Sequence, residues 1–186
     1  MKENYGTTVN TTSAQSDSNT VKAPCHSVKI PLWLVLLDNI PTLLLFILGF
    51  LIINILTTTG AIVFGAYTLF SVVWFWARIC PHCHHYGTYA CPCGYGAISP
   101  LFFKRKDAAS FKKVFKRNLS IVYPNWFIPF GIAVYLIITN YNIEILILTL
   151  LFSFIGFLII PLISKLVGCR NCQIKDDCPW MATRSK

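Results

Sequence analysis

The chain has 186 residues, of which 55% are hydrophobic and only 12% charged, and its mean hydropathy is +0.59. A soluble domain of this size carries about 25% charged residues, so the composition excludes an ordinary single-core globular protein and points to a bilayer. The formal net charge is +9, which in a membrane protein marks loops facing anionic lipid before it marks nucleic acid.

Residues 1–30 open the chain with Thr, Ser, Asn and Gln and have no apolar signal-peptide core. They are expected to be a disordered cytoplasmic tail, in which the acceptor pattern Asn10-Thr11-Thr12 would not be glycosylated. Four apolar runs follow, Pro31–Ile53, Gly60–Ile79, Leu119–Thr139 and Ile143–Leu166. Each is long enough to cross ~30 Å of hydrocarbon as a helix, and none alternates as a barrel strand would. The short connections Asn54–Thr59 and Asn140–Asn142 join the runs pairwise. The expected fold is therefore all-α with four transmembrane helices, one hairpin over 31–79 and a second over 119–166.

Lys and Arg occur before the first run, between the second and third, and at or after the end of the fourth, while both short connections have none. The positive-inside rule then places both termini and the central segment 80–118 in the cytoplasm. Asp38 and Asn39 lie about a third of the way into the first run. An ionisable group at that depth is either a ligand or proton site, or an interfacial residue paired with a basic neighbour such as Arg78. Pro124, Asn125, Trp126 and Pro161 read as kinks and interfacial anchors. In Lys104–Leu119, Ala108, Phe111, Phe115 and Leu119 share a helical face and lysines cover much of the rest. An amphipathic helix on anionic headgroups accounts for that pattern better than a nucleic-acid surface does.

All eight cysteines fall on the basic side. Cytoplasmic thiols stay reduced, so their density suggests metal rather than disulfides. Cys80-Pro81-His82-Cys83 and Cys91-Pro92-Cys93-Gly94 offer four thiolates for one closed site, formed by Cys80, Cys83, Cys91 and Cys93. Zinc suits such a site, with iron as the competitor. His82, His84 and His85 are expected beside it rather than as ligands. The strand-like approach Trp74–Ala77 and the turn Cys80-Pro81-His82-Cys83 also resemble the active-site turn of thioredoxin-type oxidoreductases. The Gly- and Pro-rich residues that follow cannot start the long helix that activates the first cysteine of that turn.

The C-terminal segment 167–186 holds Cys169, Cys172 and Cys178. Their spacing resembles the C-terminal cysteine trio of RecB-like nucleases, in which a distant N-terminal cysteine completes a [4Fe–4S] cluster. The resemblance implies an iron–sulfur site in which Cys25 takes the fourth place, but no acidic nuclease constellation accompanies it. The expected function is a membrane-anchored metal protein, zinc or iron–sulfur, serving docking, assembly or electron transfer beside a membrane complex or redox partner. The rival is an enzyme: a four-helix membrane thiol oxidoreductase that passes electrons to a quinone. Proteins of that class are similar to this chain in size and in having a Cys-x-x-Cys at a helix end.

Overall fold

The structure, a computed structural model, describes residues 30–169, with side chains through residue 166. Helices are the only regular elements among the described residues, which contain no strand. Four helical stretches, Leu32–Leu56, Thr58–His82, Ala108–Thr139 and Ile143–Leu166, are long and apolar enough to cross a membrane.

Helix α1 (Leu32–Leu56) passes into α2 (Thr58–Arg78) through Thr57 alone. The sequence reading gave this connection six residues, Asn54–Thr59. Its contraction has a hydrogen-bonding cause: Thr57 N–H still donates to Ile53 O at 2.9 Å, and Thr57 O already accepts from Ala61 N–H at 3.1 Å. One extended residue thus closes one helical ladder and opens the next.

The third stretch is also reshaped. The chain forms α3 (Tyr95–Phe102), a 3-10 turn Ala108–Ser110, α4 (Phe111–Asn118), another 3-10 turn Leu119–Ile121, and α5 (Pro124–Thr139). The amphipathic helix expected over Lys104–Leu119 is shortened because Asp107 caps the turn ahead of it, its carboxylate accepting from Ala109 N–H at 3.0 Å. Lys106 N–H is tied to Pro81 O at 2.9 Å. The apolar helix likewise starts at Pro124 rather than Leu119, since proline fits the first helical turn, where its missing N–H costs nothing.

The fourth stretch begins as α6 (Ile143–Ser153), capped by the Asn142 side chain. It continues through a π-helical turn Phe154–Ile159, the short α7 (Ile160–Ile163) and a second π turn Ser164–Cys169.

The dry core gathers Leu45, Leu48 and Ile52 of α1, Ala133 of α5, and Phe152 and Ile155 of the fourth stretch. Ile53, Ala61 and Phe64 form a smaller cluster between α1 and α2. Only 33% of the most apolar window of α1 and 22% of the other three is buried inside the protein. The remaining surface carries outward-facing residues such as Leu43, Val63, Leu69 and Leu150.

A polar seam joins α2 to the start of the third stretch. Thr68 Oγ1 donates to Asn125 Oδ1 at 3.1 Å, and Asn125 Nδ2 donates to Ser71 Oγ at 2.9 Å. Tyr67 OH donates to Ile121 O at 2.8 Å, and Trp74 Nε1 donates to Asn118 Oδ1 at 3.1 Å. Asn125 is wholly buried; it is an interhelical bond-former rather than the interfacial anchor expected from sequence. The signal was present in Thr68 and Ser71, small polar residues one helical turn apart in an apolar helix.

Candidate functional site: a cysteine cap over an interhelical cavity

Helix α2 ends where Pro81 enters the 3-10 turn Cys80–His82, which removes a backbone donor and turns the chain. Cys83 N–H donates to Cys80 O at 3.0 Å, and Gly94 N–H donates to Cys91 O at 3.0 Å, so both cysteine pairs sit on tight turns. Two glycines set the loop. Gly94 has φ +73°, and a Cβ there would lie 2.9 Å from Val35 Cγ1 of α1. A Cβ on Gly96 would lie 2.4 Å from the His85 carbonyl oxygen and 2.8 Å from Cys91 Cβ. Gly96 O in turn accepts from Gly87 N–H at 2.8 Å.

The loop is docked on the helices beneath it. Asn39 Nδ2 donates to Cys93 O at 3.2 Å and to Val35 O at 2.7 Å. Ile30 N–H donates to Tyr89 O at 3.1 Å, and the buried Ser99 hydroxyl donates to Trp76 O at 3.0 Å. The polar pair in the first apolar run is thus the seat of the cysteine loop. Arg78, which the sequence offered as a partner for Asp38, instead lies over the Trp74 ring at 5.0 Å.

Cys80, Cys83, Cys91 and Cys93 form no disulfide with one another, and Cys80 is buried. Cys91 is pulled down to about 7, first by the hydrogen bond it receives from Cys93. Burial opposes that shift, while the backbone amides of Gly96, Cys93 and Tyr95 add to it. Cys93 is pushed up by donating to Cys91, by burial and by the neighbouring Asp38 carboxylate. Cys80 stands within electrostatic reach of both Cys91 and Cys83. Cys91 and Cys93 lie within hydrogen-bond reach of each other. Among the described residues, no three His, Cys, Asp or Glu side chains are arranged to hold a metal ion.

The three histidines differ in their surroundings. His82 Nδ1 lies 2.8 Å from both Asp107 O and Ser110 Oγ, a tie between the cap and the turn ahead of α4. His84 is exposed, while His85 is buried and shifted down by desolvation and then by His84. Cys25, Cys172 and Cys178 lie outside the described residues. Cys169 is described only as the end of the last π turn.

Beneath the cap lies a cavity of about 220 Å³ lined from all four stretches. Asp38 and Phe46 of α1, Phe75 of α2, Cys93, Trp126 of α5 and Ser164 of the fourth stretch all face it. The beginnings of the first and third stretches and the ends of the second and fourth therefore meet at the same end of the bundle. The sequence reading offered Asp38 as a ligand or proton site but not the other walls, because they are residues far apart in the chain. No family model matches the chain, and no curated protein or solved structure shows significant similarity to it.

Proposed function

We propose that this chain is a four-span integral membrane protein, two antiparallel hairpins with both termini and the cysteine cap in the cytoplasm. Its cap binds one metal ion through Cys80, Cys83, Cys91 and Cys93. The four apolar stretches and their outward apolar faces support insertion, since water would tolerate so much continuous apolar surface poorly. The basic residues around α4, all exposed, support contact with anionic headgroups.

The observation that carries the metal reading is that both cysteine pairs sit on tight turns of one cap. The Cys93 thiol and neighbouring backbone amides favour the thiolate at Cys91, the form that binds metal. Zinc is the first expectation for such a thiolate set and iron the second. The resemblance of Cys169, Cys172 and Cys178 to a cluster-binding trio supports an iron–sulfur site completed by Cys25. Together these sites suit a docking, assembly or electron-transfer component of a membrane complex.

Anaerobic metal and sulfide analysis with an absorption spectrum tests this. One zinc per chain, lost in Cys91→Ser, supports the cap site. Iron with acid-labile sulfide, lost in Cys25→Ser, supports the second. A protein free of metal after anaerobic purification would overturn both.

A second reading is favoured by one observation, the Cys91–Cys93 contact at the edge of the cavity. Such a dithiol could pass two electrons to a quinone seated below, forming a disulfide and a quinol. That activity needs the cap on the oxidising side. Cysteine placed at Thr58 and Asn140 reacts with an impermeant thiol reagent in intact cells if the cap is cytoplasmic. Labelling of the cap instead would move this reading to first place.

A further inference from the structure

The cavity under the cap has a chemistry that the metal reading does not use. Its walls are largely apolar, with aromatic rings from Phe46, Phe75 and Trp126. Asp38 supplies a carboxyl group, and among the described residues no Lys, Arg or His lines the space. A carboxylate among apolar walls is costly to keep without a cation; its neighbour here is the Cys93 thiol, which carries no positive charge, and the guanidinium of Arg78 lies over Trp74.

The fourth stretch adds an independent observation. Its two π turns, Phe154–Ile159 and Ser164–Cys169, bracket Ile160–Ile163, and the residues Ile160, Pro161 and Ser164 line the cavity. Such π-helical turns open the helical ladder and frequently mark functional sites. The helix is therefore widened on either side of the α turn whose Ile160 and Pro161 line the cavity. At about 220 Å³ the space exceeds the ~150 Å³ that holds a benzene molecule in an engineered protein cavity.

We infer that this cavity binds a small organic cation: an ammonium group against Asp38, with an apolar or aromatic body between Phe46, Phe75 and Trp126. The carboxylate neutralises the charge, and aromatic rings lining the same space attract a cation. An anion would meet the carboxylate unscreened. A neutral molecule of the same shape would fill the space but leave the carboxylate without a counter-charge. The same ammonium chemistry can come from a lipid headgroup or from a free amine.

The full-length protein in maltoside micelles, which contain no ammonium group, is titrated with benzyltrimethylammonium by calorimetry. Its uncharged carbon isostere neopentylbenzene and the anion phenylacetate serve as comparisons. The expected result is saturable binding of the cation, at least about tenfold tighter than the isostere, and none of the anion. Asp38→Asn should weaken cation binding by about tenfold or more with the circular dichroism spectrum retained. Val72→Phe, which fills the cavity without touching the carboxylate, should weaken cation and isostere alike. Displacement of the probe by soluble dihexanoylphosphatidylcholine identifies a lipid headgroup as the source, and no displacement identifies a free amine. Equal affinity for the isostere, or unchanged cation affinity in Asp38→Asn, overturns the inference. Should Asp38→Asn fail to fold, unchanged affinity in Val72→Phe overturns it equally. Metal content is measured in every sample, so that loss of the cap site is distinguished from loss of the cavity site.

Discussion

The two ends of the bundle are held together by different physics. Away from the cap, Leu45, Ile52, Ala133 and Phe152 pack with no polar group among them. Toward the cap, the helices meet through hydrogen bonds: Thr68 and Ser71 with Asn125, Trp74 with Asn118, and Asn39 with the Cys93 carbonyl. Apolar packing sets how closely helices approach but tolerates small shifts along their axes. A buried amide with two fixed partners does not. The polar end therefore sets the helix register, and it does so where the cysteines have to be positioned.

The sharpest test separates cap from bundle. Gly96→Ala places a methyl against a backbone carbonyl and should abolish the loop conformation, raising amide exchange over residues 80–102 to that of unstructured peptide. The bundle should still unfold at an unchanged detergent concentration. Coupled loss of both would show that the two regions fold as one unit.

Phe152→Ala acts at the other end. It removes a fully buried ring and should cost about 3–5 kcal/mol in a denaturing-detergent titration, while the cap thiols keep their alkylation rates. Asn125→Leu should cost less, about 1–2 kcal/mol, since interhelical hydrogen bonds in membranes are individually modest. Its signature would be faster alkylation of the cap thiols, an effect absent from the more destabilising Phe152→Ala. Val63→Leu, on a residue 64% exposed, should change stability by less than about 0.5 kcal/mol. A larger loss there would mean that Val63 contacts a second protein rather than solvent or lipid.

The sequence revealed the four apolar helices because each is declared locally, by a run of residues whose length matches a bilayer. Cys80, Cys83, Cys91 and Cys93 read as a group for the same reason: they fall within fourteen consecutive residues, which keep them near one another whatever the rest of the chain does. What periodicity does not carry is pairing between distant residues. Asn125 looked like an interfacial residue because its partners, Thr68 and Ser71, lie 57 and 54 positions away. Asp38 and Asn39 looked misplaced in an apolar helix until the loop that sits on them was in view. Thr57 was hidden for a different reason: a one-residue link between helices has no turn signature of its own.

That link has a consequence for access. With Thr57 joining α1 to α2 and only residues 140–142 joining the other pair, the end remote from the cysteines presents almost no chain outside its helices. A protease, antibody or partner arriving from that direction would find little to grip, and a tag inserted there would have to supply its own exposed segment.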